Sequence, residues 1–251
     1  MSQRTYVVTG SSSGIGAATA ALLAAQGHRA IGVDLHGADV DTDLGTTSGR
    51  SSMVERVRSL SGGALDGVIA CAGVTSEAAV AVNYFGMVAT LEGLRPLLAA
   101  STAPRAVAVA SLASLLGPDE QTVEACLRGD EAGAIARSLE GEVGYMSSKA
   151  ALCRWVRRNA ALPQWAGAGI PLNAIAPGTV VTAMTAPFLA SAEATAQVDA
   201  MVPMPLNGHA QASEVAELLV WLASPANSHV TGQVVFIDGG ADALIRGDST
   251  W

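Results

Sequence analysis

Thr5-Tyr-Val-Val-Thr-Gly-Ser-Ser-Ser-Gly-Ile-Gly16, then the Ala-rich run Ala17 to Gln26, then Arg29-Ala-Ile-Gly-Val-Asp34: this stretch decides the fold. Thr5 to Thr9 is short, β-branched and continuously apolar, as in a strand buried on both faces of a parallel sheet. A helix follows, and Gly27 stops it. A second strand ends at Asp34. The glycines let the backbone turn tightly and approach a pyrophosphate, whose charge meets the free amides of the helix N-terminus. Asp34 lies 18 residues after Gly16. A carboxylate there accepts hydrogen bonds from both ribose hydroxyls of an adenosine and repels a 2′-phosphate. A glycine pattern alone is weak; between two strands, with the acid in place, it points to NAD rather than NADP.

The alternation continues outward. A short third strand is expected near Val40 to Leu44, a helix over Ser48 to Leu60, and a fourth strand over Leu65 to Ala70. Cys71-Ala72-Gly73 follows, small residues that let a ligand pass the strand end. Ala78 to Ala100 reads as a helix containing Asn83, and Ala106 to Ser111 as a fifth strand. Tyr145 to Trp165 reads as a helix, Ile170 to Ile175 as a strand, Thr182 to Pro205 as a loop region with weak helical signals. A helix from Ser213 to Leu222, opened by a Ser cap, precedes a last strand over Val234 to Ile237. This order predicts one α/β domain spanning the whole chain. It is a Rossmann-type, doubly wound parallel sheet with helices on both faces and a ligand crevice at the strands' carboxyl ends.

Composition bounds the rest. Of 251 residues half are hydrophobic, only 4% are aromatic and 14% are charged, so Ala, Val, Leu and Ile must build the core. Fourteen basic and 22 acidic residues give a net charge of -8, with no basic cluster to meet nucleic acid. Cys71, Cys126 and Cys153 show neither disulfide nor zinc spacing, so no metal is expected and a reducing compartment is. No charged region leads into a long apolar one, and no apolar run approaches the ~18 residues of a membrane span. The expectation is a cytoplasmic protein without membrane contact.

Four groups fall where chemistry belongs: Ser111 at a strand's carboxyl end, Asn83 on the helix after the fourth strand, and Tyr145 with Lys149. Four residues apart on a helix, Tyr145 and Lys149 share a face. A phenol with a pKa of about 10 is a poor base at neutrality, but a nearby ammonium favours the phenolate. Singly these residues read as a turn cap, a packing amide and a solvated pair. Together, downstream of a dinucleotide loop, they read as a site.

Over nearly its whole length the sequence resembles the short-chain dehydrogenase/reductase family. The resemblance is carried by Thr9-Gly10-Ser11-Ser12-Ser13-Gly14-Ile15-Gly16, Cys71-Ala72-Gly73, Asn83, Ser111, Tyr145-x-x-x-Lys149, Asn173, Pro177-Gly178 with Thr182, and Ile237-Asp238-Gly239-Gly240. Within the family it is most similar to the bacterial 3α-hydroxysteroid dehydrogenase/carbonyl reductases, through Val33-Asp34-Leu35, Asp43-Leu44, Val82-Asn83-Tyr84-Phe85-Gly86 and the long segment before Tyr145. The resemblance implies that Tyr145 exchanges the hydroxyl proton and that Lys149 holds the nicotinamide ribose and lowers the Tyr145 pKa. Ser111 would bind the substrate oxygen, and Asn83 would anchor a water that links Lys149 to solvent. Asp34 and Leu35 would hold the adenosine ribose, Asp43 and Leu44 would flank the adenine, and Val180 and Thr182 would hold the carboxamide. Gly10, Ser13, Gly14, Ile15, Gly16, Ala72, Gly73, Pro177 and Gly178 complete the expected cofactor set.

Two departures stand out. Cys71 replaces the family's usual Asn, which touches sheet cohesion. The segment 115–141, rich in charge, lengthens the gap between Ser111 and Tyr145. In many members the flanking helices build the subunit interface, so a homo-oligomer is expected, dimer or tetramer, with the insertion disfavouring the usual tetramer. Residues 183–207 form the expected lid, with Met184, Phe188 and Met201 as substrate contacts; its apolar, Met-containing character suits an adaptable pocket. No Arg or Lys occurs between Arg158 and Arg246 to clamp an anion. The expectation is therefore a hydrophobic small-molecule substrate, a secondary alcohol or ketone of a steroid-like or other alicyclic skeleton. Alternatives are a smaller ring, such as a terpene alcohol or dihydrodiol, and a non-catalytic dinucleotide-binding sensor.

Overall fold

The structure is a computed structural model that describes residues 3–249, so the end of the C-terminal tail lies outside the described residues. In chain order the elements are β1 (Thr5–Thr9), α1 (Gly14–Ala25), β2 (Arg29–Asp34), β3 (Val40–Asp41), α2 (Thr47–Ser61) and β4 (Gly67–Ala70). A π-helical segment (Ala81–Gly86) runs into α3 (Met87–Leu98), and β5 (Arg105–Val109) follows. Then come α4 (Glu120–Arg128), α5 (Glu131–Glu140), α6 (Gly144–Asn159), β6 (Leu172–Pro177), β7 (Val180–Val181) and α7 (Ala192–Met201). The chain continues through β8 (Ala210–Gln211), α8 (Ala212–Leu222), β9 (Val234–Ile237) and α9 (Ala241–Arg246).

Seven parallel strands lie in the order β3-β2-β1-β4-β5-β6-β9. The order reverses between β1 and β4, which opens a crevice at their carboxyl ends. The strands are buried because helices cover both faces. Met53 and Val57 of α2, Leu91, Leu94 and Leu98 of α3, and Trp155 and Val156 of α6 pack on one. Leu23 of α1 with Val215, Leu219 and Leu222 of α8 pack on the other. The Thr9 hydroxyl accepts from the amides of Cys71 and Ala72 at 2.9 and 3.0 Å, and so ties β1 to the end of β4 where Cys71 stands.

Several boundaries differ from the sequence expectation, each for a local reason. The third strand stops at Asp41; Asp43 and Leu44 lie in a turn that the Asp43 carboxylate closes on the Gly45 amide at 2.8 Å. Helix α6 ends at Asn159 rather than at Trp165, because Pro163 cannot extend it. Helix α8 begins one residue before Ser213: the Gln211 amide donates to Glu214 at 2.7 Å, so Gln211 rather than Ser213 stands at the cap position. The segment 183–207, expected to form a lid, contains a full helix, α7, whose first turn is capped by Ser191 accepting from the Ala194 amide at 3.2 Å. None of its residues is buried, so no apolar face announces it in the sequence. Two-residue strands β7 and β8 pair and join the two ends of the lid excursion.

Segment 115–141 forms the helical pair α4–α5 against α6. Arg154 pairs bidentately with Glu120 at 2.6 and 2.7 Å, and Arg158 reaches Glu124 at 3.4 Å. The Asp119 amide donates to Ser147 of α6 at 3.0 Å. Thr122, Val123, Ala125, Cys126 and Ala134 bury the inner side of the pair.

Candidate active site

A cavity of about 460 Å³ opens at the carboxyl ends of the strands. Its wall contains every residue of the expected cofactor set, from Gly10 and Asp34 at one end to Tyr145, Lys149 and Thr182 at the other. Ser111 and Met184 also line it. Phe188 and Met201 do not: they stand 51% and 59% exposed on the outer lid. Thr42, Val74, Val82 and Ala110 join the wall without having been expected. For Ala110 the signal was its place at a strand's carboxyl end; Val82 and Val74 meet the cavity only through tertiary packing.

The cradle at the head of α1 fits a dinucleotide's phosphates. Ser13, at the cap position, makes no side-chain bond to the first turn, which leaves those amides to a ligand. A Cβ on Gly16 would lie 2.1 Å from the Gly10 carbonyl oxygen, so only glycine allows this turn. Asp34 accepts from the Ser12 amide at 2.8 Å and the Leu35 amide at 2.7 Å, which aims its carboxylate and leaves lone pairs for two hydroxyls.

At the other end, Lys149 is 3% exposed, and its Nζ donates to the Val109 carbonyl at 2.8 Å. It stands 5.8 Å from the Tyr145 ring centre. Burial lowers its pKa to about 8. The expectation that the ammonium depresses the Tyr145 pKa needs correcting. Burial raises the phenol above its ordinary value, and the opposing influence is a hydrogen bond with Ser111. Ser111 also caps the following turn, accepting from the Ala113 amide at 3.1 Å, so the capping role leaves its hydroxyl at the cavity wall. The Cys71 thiol in the cavity wall is pushed up to about 12 by burial, which keeps it protonated at neutral pH.

Asn83 is fully buried in the π-helical segment. Its Oδ1 accepts from the Val74 amide at 2.8 Å, and its Nδ2 donates to the Val74 carbonyl at 2.9 Å and to Ser148 Oγ at 3.3 Å. Ser148 in turn donates to the Tyr145 carbonyl at 2.7 Å. The carboxamide therefore braces the loop after β4 against the helix that carries Tyr145 and Lys149. Both of its amide hydrogens are spent on that brace.

A carboxylate-marked phosphate cradle and a Ser-Tyr-Lys cluster sharing one cavity define a dinucleotide-dependent oxidoreductase. A family model described as enoyl-(acyl carrier protein) reductase matches residues 10–242. The 3-alpha-hydroxysteroid dehydrogenase/carbonyl reductase of Comamonas testosteroni is 35% identical, over 96% of this chain and 97% of that one. The cis-4-hydroxycyclohexanecarboxylate dehydrogenase of Sinomonas cyclohexanicum is 29% identical over 96% and 98%. The crystal structure of the 3-alpha-hydroxysteroid dehydrogenase from Pseudomonas sp. B-0831, complexed with NADH, superposes with a TM-score of 0.91 at 40% identity, over 97% and 99%. The chain belongs to the short-chain dehydrogenase/reductase family.

Proposed function

We propose that this enzyme interconverts a secondary alcohol and a ketone on a neutral, hydrophobic alicyclic substrate, with NAD as cofactor, in the manner of a 3α-hydroxysteroid dehydrogenase/carbonyl reductase. One observation carries the reading: the Asp34 cradle and the Ser111, Tyr145 and Lys149 cluster line opposite ends of the same cavity. A bound nicotinamide supplies hydride acceptance and donation. The chain supplies the rest. Ser111 holds the substrate oxygen, and Tyr145 exchanges a proton with it. Lys149 holds the ribose, and Asp34 favours the unphosphorylated one. The lid offers Met184 to the cavity and no basic side chain, which weighs against carboxylate-bearing rings. The test is NADH formation from NAD with a 3α-hydroxysteroid, a monoterpene alcohol, a cis-dihydrodiol and a short aliphatic secondary alcohol, with NADP in parallel. Steroid preference is expected. Preference for a smaller alcohol removes the steroid assignment and keeps the mechanism. Tight NADH binding without turnover of any of them favours a sensor.

The pH dependence follows from the raised Tyr145 pKa. Oxidation needs the phenolate, whose fraction grows with pH through the neutral and mildly alkaline range; reduction needs the phenol, already dominant at neutrality. Alcohol oxidation should therefore accelerate as pH rises from neutral into the alkaline range, while ketone reduction stays level or falls. An oxidation profile flat over that range would remove Tyr145 from the proton transfer.

The insertion bears on assembly. The packing of α4 and α5 against α6 supports the reading that segment 115–141 alters the usual assembly. Sedimentation velocity is expected to give a dimer; a stable tetramer contradicts this.

Among the described residues no helix is long and apolar enough to cross a membrane.

A further inference from the structure

Arg50 is 9% exposed, an arginine at a position of α2 that is otherwise buried only at Met53 and Val57. Its Nε donates to the Leu44 carbonyl at 2.8 Å. Its Nη2 reaches the carbonyls of Gly45 at 3.2 Å and Ala81 at 3.0 Å. Both terminal nitrogens grip Glu131 of α5, at 2.8 and 2.6 Å. The guanidinium also lies 5.8 Å from the Phe85 ring centre. Three carbonyl oxygens from two separate elements thus converge on one cation. Without a donor between them they repel, and each is costly to bury unpaired.

What these carbonyls belong to gives the cluster its meaning. Leu44 and Val82 are cavity wall, on either side of the contact between the turn after β3 and the π-helical segment. Gly86 lets the two lie close: a Cβ there would come 2.9 Å from the Leu44 carbonyl. Arg50 itself does not line the cavity. It stands behind the wall and fixes the wall's two halves against each other. Glu131, the first residue of α5, holds the guanidinium plane through a bidentate pair that a lysine cannot form.

We propose that Arg50, oriented by Glu131, is a positioning residue for the adenosine end of the cofactor site, so that the insertion sets cofactor affinity. The inference rests on the placement of the adenine beside Asp43 and Leu44 made above. It predicts an effect confined to one half of the cofactor. The α4 pair Glu120–Arg154 is equally well formed, yet it leads to the outer side of α6 and not to this wall.

The experiment is calorimetric titration of NADH and of ADP-ribose into the full chain and its Glu131→Gln, Arg50→Lys, Glu120→Gln and Leu44→Ala variants, with steady-state kinetics on the best alcohol. Glu131→Gln and Arg50→Lys should weaken both ligands by the same factor, about tenfold, or ~1.4 kcal/mol. KM for NAD should rise with kcat at saturating NAD unchanged, and Glu120→Gln should bind like the parent. Unchanged affinities in both Glu131→Gln and Arg50→Lys overturn the proposal. So does an equal loss in Glu120→Gln, which would mean general loosening of the insertion, or a loss in kcat with affinity held. If Leu44→Ala alone weakens ADP-ribose, Arg50 has no positioning role and the adenosine placement stands. If none of the variants does, the placement itself falls.

Discussion

Tyr145→Phe should bind NADH as the parent does and lose turnover by a factor of about 10² to 10⁴, the range a positioned acid/base contributes. The substitution removes one oxygen and keeps the ring. Lys149 is held by the Val109 carbonyl rather than by the phenol, so the ribose-binding end of the site stays in place. The Ser111 hydroxyl loses its phenol partner but keeps the Ala113 amide, which holds the turn. Fluorescence titration of NADH and single-turnover oxidation separate binding from chemistry. The variant's residual rate should also lose the alkaline rise, because no phenolate remains to form. Turnover comparable to the parent's would end the acid/base assignment.

The second large effect is expected from Gly16→Ala. The added methyl would lie 2.1 Å from the Gly10 carbonyl oxygen and 2.6 Å from its carbon, both backbone atoms that cannot swing aside. Relief requires moving α1 away from the β1 turn. That costs about 3 kcal/mol, the upper end for overpacking, and lowers Tm by roughly 6 to 12 °C in a chain of this size. The same movement drags the first-turn amides off the phosphate position, so NADH affinity should fall on the order of 100-fold. Gly27→Ala is the control. That glycine has a φ of +79° and open space around it, so alanine pays only about 1 to 2 kcal/mol of left-handed strain, far from the cavity. Its NADH affinity should match the parent's. If Gly16→Ala binds NADH normally, the α1 amides do not hold the phosphates.

The sequence by itself determined the parallel sheet, the glycine cradle, Asp34, Ser111 and the Tyr145–Lys149 pair. Each of these is written in local chemistry. A β-branched run, a glycine that backbone contact demands, an acid at a strand end and a four-residue helical spacing all constrain residues near one another in the chain. The helix α7 shows in the sequence only as a weak helical signal within a loop region, because its residues bury nothing and leave no apolar periodicity. The strands β7 and β8 are two residues each and exist only because they pair across the lid. The sign of the Tyr145 shift was also beyond the sequence: the spacing puts an ammonium nearby, but how deeply the phenol is buried depends on walls drawn from distant segments. Arg50 is the sharpest case. In sequence it is one more polar residue on an amphipathic helix. Only the tertiary structure brings Leu44, Gly45, Ala81 and Glu131 around it, because the convergence of acceptors from separate elements, and the burial that makes them matter, is a property of packing.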